Sequence, residues 1–194
     1  MHVKQIDAEQ TLILRHQVLW PEFPIAAVKL PQDENGWHFG AFVEAPPAMN
    51  DPIAVISLFL DPIPIDNTLA NSEQNKTTHL PIPVPSTAAA VRFRKFACKE
   101  SMQGQGVGTA LLNYTMNFAH SHLNAHVFWC DARVSSMQWY KKRGLAQFGN
   151  RFFKGAVEYV RMKKDLSAIG PWFLTKAVFL SVHAQSAIIV FMDL

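Results

Sequence analysis

One short segment narrows what this chain can become. Gln103-Gly104-Gln105-Gly106-Val107-Gly108-Thr109 places three glycines in five residues, between the strand-like run Ala89–Cys98 and a stretch of helical apolar spacing from Gly106 to about His122. That spacing is carried by Val107, Leu111, Leu112, Met116 and Ala119. Glycines at a strand-to-helix junction let successive backbone N–H groups converge on an anion, and leave room for a phosphate to approach the main chain. The segment is not a P-loop of the nucleoside triphosphatase type, because no Lys-Ser or Lys-Thr follows its last glycine. A dinucleotide fold competes: Gly104 and Gly106 begin the fingerprint, and Asp131 stands about 20 residues on, at the end of the next strand. Thr109 replaces the third glycine, however, and several strands precede the motif without alternating helices, so a doubly wound sheet has little room.

Upstream, Val3–Ile6 alternates like a short strand, and Asp7 with Gln10 forms a capping-box pattern before an apolar-rich helix running to Trp20. Pro21, Pro24 and Pro31 break the next stretch, after which 36–43 and 53–60 read as strands. Residues 61–88 hold five prolines around a polar stretch and predict a long surface insertion. Downstream, His126–Cys130 is a short strand, and Ser135–Arg143 a helix with Ser135 and Gln138 as a second capping box. Phe148 and Val157–Met162 mark the last two strands.

With 194 residues, 49% of them apolar and 17% charged, the chain can bury an ordinary core; disorder is excluded. A net charge of +3 is too small to mark a nucleic-acid partner, yet would not repel a phosphorylated ligand. Cys98 and Cys130 lie in apolar segments, away from metal or disulfide spacing, and the first residues carry no secretory or membrane-spanning pattern, so the expected location is cytoplasmic. His120, His122 and His126 straddle a helix end without a cysteine or carboxylate set, so no metal is expected. Ser167–Leu194, nearly uncharged, is too short an apolar run for a bilayer span and reads as a packed extra element or a homodimer contact.

Gln103, Gly106 and Gly108 resemble the pyrophosphate-binding motif of the GNAT superfamily of N-acetyltransferases, and Trp139-Tyr140-Lys141-Lys142-Arg143-Gly144-Leu145 is similar to the family's aromatic-Tyr-x-x-x-Gly-Phe segment. The resemblance covers roughly residues 3–164. It implies an α/β fold with a mixed, mostly antiparallel central sheet flanked by helices, in an acetyltransferase domain over 1–166, and acetyl-CoA as cosubstrate. It also implies that the strands 91–98 and 126–131 part to admit the pantetheine arm. Phe96, Ala97 and Cys98 would pair with that arm through their backbone, the Cys98 N–H would polarise the acetyl carbonyl, and residues 103–109 would hold the diphosphate. Cys98 itself is expected to be a core residue rather than a nucleophile.

By the same resemblance Tyr140 is the general acid that protonates the departing thiolate. The pattern fails for the base, because the strand position that often carries a glutamate falls near Ala90 or Arg92. His38, Glu44 and Glu158, on other presumed strands, are then the side-chain candidates for the base, His38 foremost, and a chain of water molecules is equally compatible. Arg92 and Arg94 share one strand face and would favour an acceptor bearing carboxylate or phosphate if that face lines the acceptor cavity. Lys141, Lys142 and Arg143 suit a helix C-terminus, and Arg133 stands where the family often has an asparagine on the cofactor. The expected activity is acetyl transfer from acetyl-CoA to the primary amine of a small molecule. A protein-lysine or N-terminal acetyltransferase, and an acyl-CoA-binding sensor without turnover, are the rivals.

Overall fold

The computed structural model describes residues 1–43, 51–64 and 89–167. The expected insertion after residue 64 and the apolar extension beyond Ser167 lie outside the described residues, as does Glu44. Seven strands form one sheet: β1 (His2–Ile6), β2 (Trp37–Phe42), β3 (Ala54–Leu60), β4 (Ala89–Cys98), β5 (Ala125–Arg133), β6 (Ala146–Lys154) and β7 (Val157–Asp165), in the order β1-β2-β3-β4-β5-β7-β6. Every neighbouring pair is antiparallel except β4 with β5. A doubly wound parallel sheet is thereby excluded, and with it the dinucleotide reading.

The helices divide between the two faces. Helix α2 (Val107–Leu123) lays Leu111, Leu112, Met116 and Ala119 on Phe39, Ile56, Leu58, Val91, Phe93 and Phe128, which form the main core. Helix α1 (Glu9–Leu19) covers the other face, where Leu14 meets Ile6, Phe42, Val55 and Ala97. Period-two alternation along β2, β3 and β4 supplies both cores. The third helix, α3 (Met137–Lys141), is shorter than Ser135–Arg143. A 3-10 turn takes Val134–Ser136 instead, and no serine hydroxyl caps the helix. Of the first capping box only half forms: the Gln10 amide oxygen accepts from the Asp7 N–H at 2.9 Å, while the N-cap is Ala8, without a side-chain bond.

His38, expected as a candidate base, belongs to a structural network instead. Its Nδ1 meets the Ser57 hydroxyl at 2.7 Å and its Nε2 the Asp33 carbonyl at 2.8 Å, and the ring is 4% exposed. Both nitrogens are engaged and no substrate can reach them. The network centres on Arg15, fully buried on α1, which grips Asp33 through two parallel bonds of 2.7 and 3.0 Å and donates to Ser57 at 2.6 Å. Burial alone would raise the Asp33 carboxyl, but the Arg15 and Leu30 hydrogen bonds, with the charges of Arg15 and His38, outweigh it and hold the group below its usual range.

Breaking this pair leaves one charge buried and alone, so Arg15→Ala should cost about 3–5 kcal/mol in urea unfolding. A depressed folded pKa contributes stability that is complete above the unfolded value of 3.8 and disappears as pH falls through the folded one. Replacement by Asp33→Asn should therefore lower stability at neutral pH and flatten its acid dependence, read from denaturation midpoints between pH 2 and 7.

Candidate active site

Parallel pairing between β4 and β5 begins at Ala89 and stops at Arg92, opposite Trp129. From Phe93 to Cys98, β4 keeps its partner β3 on one edge; from Cys130 to Arg133, β5 pairs only with β7. A wedge-shaped gap therefore opens between two strands whose facing edges have no strand partner. The Lys99 N–H bonds to Ile53 of the β3 side at 2.8 Å, so strand alternation turns the Cys98 N–H toward the gap. Gln103 folds back to donate to the Cys98 carbonyl at 3.2 Å.

A bulge in β4 sharpens the parting. Between the pairs Val55–Ala97 and Ser57–Arg94, β4 places Lys95 and Phe96 where β3 has only Ile56. Lys95 takes a φ of +52°, the left-handed region, and the extra residue restores Phe96 to the α2 face. The Lys95 ammonium lies 3.4 Å above the Trp20 ring; burial first, then the charges of Arg15 and Arg94, bring its pKa down to about 8.

The glycine segment closes one mouth of the gap, on the α2 side. Gly106 is the N-cap of α2, with φ +84°, and Gly104 has φ +75°; a Cβ at either would point into open space. No side chain caps α2 and its first turn holds no acidic residue. The N–H groups of Val107, Gly108 and Thr109 thus head a 17-residue helix with no intrahelical partner. Gly108 serves packing: a Cβ there would come 3.3 Å from the Phe96 ring and 3.4 Å from Trp139. The Val107 side chain is buried in the core, leaving its backbone as the polar surface.

Tyr140, on α3, sits beneath the gap on the same side. Its ring centroid is 5.7 Å from Phe93 and 5.1 Å from Trp139, and only 8% of the residue is exposed. Burial, with Cys130 adding to it, pushes the phenol well above its usual pKa, so it holds its proton at neutral pH. Cys98 and Cys130 are both free thiols, raised by burial and therefore poor nucleophiles.

Arg143 plays a part that its position at a helix end does not announce. The guanidinium stacks 3.5 Å from the Trp139 ring centroid and donates to the Thr109 hydroxyl at 2.9 and 2.7 Å. This places a fixed positive charge against the first turn of α2. No sequence pattern joins residues 109 and 143; only the return of α3 past α2 brings them together.

On the opposite face a cavity of about 460 Å³ opens beside the start of the gap. Its walls include Gln32, Asn35, Trp37, Phe59, Asp61, Arg92 and Arg94. The two arginines share this face, as their spacing implies, but their surroundings differ. Arg92 stacks on Trp129, donates to Asp61 at 2.9 Å and pairs with Asp131. Lys154 joins the same Asp131 carboxylate at 2.7 Å. Arg94 has one polar contact among the described residues, the Gln32 amide oxygen at 3.3 Å, and burial together with Arg92 lowers its pKa. Asp131 and Arg133 fall inside β5, which is longer than the short strand expected.

Three comparisons bear on this geometry. A family model described as an acetyltransferase (GNAT) domain matches residues 74–166. Residues 74–166 belong to the GNAT acetyltransferase domain family. The chain is 27% identical over 170 residues to the uncharacterised N-acetyltransferase YitI of Bacillus subtilis (strain 168), covering 86% of this chain and 97% of that protein. Among solved structures, a protein of Lactobacillus plantarum assigned as an N-acetyltransferase superposes with a TM-score of 0.62 at 14% identity, covering 86% of this chain and 99% of the other. An aminoglycoside 6'-N-acetyltransferase complexed with coenzyme A superposes with a TM-score of 0.60 at 11% identity, covering 86% and 97%. The matched domain makes this chain an acyltransferase with acetyl-CoA as cosubstrate. The uncapped helix start and the free β4 edge are of the chemistry that a diphosphate and a pantetheine amide require.

Lys95 supplies a test of this architecture that needs no substrate. A lysine whose pKa falls from 10.5 to about 8 on folding releases its proton earlier in the native state than in the unfolded one. Stability should therefore rise with pH between those two values. Lys95→Gln should lose that rise, seen by comparing urea midpoints of both proteins at pH 7 and pH 10.

Proposed function

We propose that this GNAT enzyme moves an acetyl group from acetyl-CoA to the primary amine of a small molecule, directly, within one ternary complex. The observation that carries the reading is the conjunction at the gap: an uncapped, glycine-bordered helix start at its mouth, an unpaired strand edge along it and a protonated phenol beneath it. In this reading the amides of residues 103–109, with Arg143 beside them, take the diphosphate. The β4 edge at Phe96, Ala97 and Cys98 takes the pantetheine arm, and the Cys98 N–H polarises the thioester carbonyl.

The deprotonated amine attacks that carbonyl, a C–N bond forms, the C–S bond breaks and the departing thiolate takes a proton from the Tyr140 hydroxyl. The amine's own proton passes to water in the acceptor cavity, and a proton returned from solvent restores the Tyr140 phenol, so one proton is lost by the amine and one gained by the thiolate. The strand position that often carries a glutamate falls near Ala90 or Arg92, and the neighbouring Asp131 is tied through Oδ2 to Arg92 and Lys154. Orientation then carries much of the acceleration; a well-placed reactant pair removes roughly 7–11 kcal/mol of barrier.

A cavity of about 460 Å³ is of the size that small molecules fill, which favours a small acceptor over a peptide. The retained, protonated Tyr140 favours turnover over a binding-only sensor. A cytoplasmic location suits both free thiols.

Two substitutions separate binding from chemistry. Gly106→Trp should fill the space kept open at the helix start and abolish CoA binding in a thermal-shift titration. Tyr140→Phe should leave CoA binding intact and slow acetyl transfer about 10²- to 10⁴-fold. Equal loss of CoA binding in both variants would remove Tyr140 from the role of acid.

A further inference from the structure

The two guanidiniums in the acceptor-side cavity differ in what balances them. Arg92 is paired: Asp61 and Asp131 each take one of its terminal nitrogens, and Trp129 lies under its plane. Arg94 is half-buried and faces the same cavity; among the described residues its one hydrogen bond is to a neutral amide, and Asp61, Asp131 and Asp33 act on it only through space, none within ion-pair distance. A desolvated cation is normally paired with an anion, because leaving it unpaired forfeits hydration without a compensating partner. Asp61, the carboxylate in the cavity wall, already serves Arg92. Among the described residues, the cavity thus offers an incoming molecule a cation without a contacting anion, while the carboxylate in its wall is already paired.

We propose that the acceptor carries an oxyanion, a carboxylate or a phosphate, close to its primary amine, and that Arg94 binds it. This rests on the acetyltransferase reading above. A guanidinium presents parallel N–H donors that match either oxyanion, and the single Gln32 bond leaves most of them available. The geometry suits the reaction. Arg94 lies two residues before Phe96 on β4, where the gap begins, so an anion held at Arg94 keeps a nearby amine beside the opening. Trp37 and Phe59 give the cavity apolar walls, which accommodate a hydrocarbon or aromatic body between the two polar groups. Gln32 and Asn35 flank Asp33, so the Arg15 grip on Asp33 also fixes this wall. Polyamines, with added positive charge and no anion, meet Arg94 unfavourably.

The experiment uses the full chain saturated with coenzyme A and matched acceptor pairs that differ in the oxyanion: phenylalanine against phenethylamine, and phosphoethanolamine against ethanolamine. Binding is read by calorimetry. In at least one pair the oxyanion-bearing member should bind about tenfold to a hundredfold more tightly; which pair does so distinguishes carboxylate from phosphate. Arg94→Gln should erase that difference and Arg94→Lys restore part of it, with urea midpoints confirming that both variants fold. No advantage in either pair, or an advantage that survives Arg94→Gln, overturns the proposal. Thiol release from acetyl-CoA with the same amines is measured separately. Binding preference without release in any of them counts against the transferase reading while leaving the oxyanion site supported.

Discussion

The parting of β4 from β5 after Arg92 and Trp129 is the constraint on which the rest of the molecule depends. Parallel strands ordinarily keep pairing for as long as both continue, since an unpaired edge leaves N–H and C=O groups without partners. Here both strands continue and the pairing does not. The bulge at Lys95 and Phe96 diverts one strand, and antiparallel pairing with β7 holds the other. Apart from its outer strands β1 and β6, the sheet is paired throughout, so this is its one internal parting among the described residues. The glycine turn, α2 and Tyr140 are arranged around that opening, and the acceptor-side cavity begins where it does.

Packing explains why these parts keep their positions. Helix α2 approaches β4 closely because Gly108 has no side chain, and the Phe96 ring and Trp139 fill the space. On the other face, a buried guanidinium ties α1, the turn at Asp33 and strands β2 and β3 into one unit. Such a pair is weak evidence of net stabilisation when compared with an apolar replacement. Its loss from one side is costly, which makes it a device for fixing position.

Much of the fold was legible because its signals are local. The strand Ala89–Cys98 was bounded correctly from composition, and the glycine turn announced both a positive φ and an unobstructed helix start. What depended on residues distant in sequence was not legible. His38 looked available because nothing near it in the chain reveals Ser57 or the Asp33 carbonyl as partners. Arg143 looked like a helix-end charge because the fold alone carries it to Thr109. Arg92 and Arg94 looked equivalent, and their difference lies in Asp61 and Asp131, one on a different strand and one beyond another. The second capping box failed for a smaller reason: a 3-10 turn used the serines before the helix began.

The glycine turn and the cavity lie on opposite faces of the sheet, joined through a slit between two strands. In the proposed arrangement each compound then has its own doorway, so coenzyme A would leave without waiting for the acetylated product, and the reverse. The same separation loosens the evolutionary coupling between the two recognition problems. With the amine and the nucleotide bound as proposed, residues such as Arg94, Phe59 and Trp37 can be exchanged to suit a new amine while the glycine turn on the far side stays as it is.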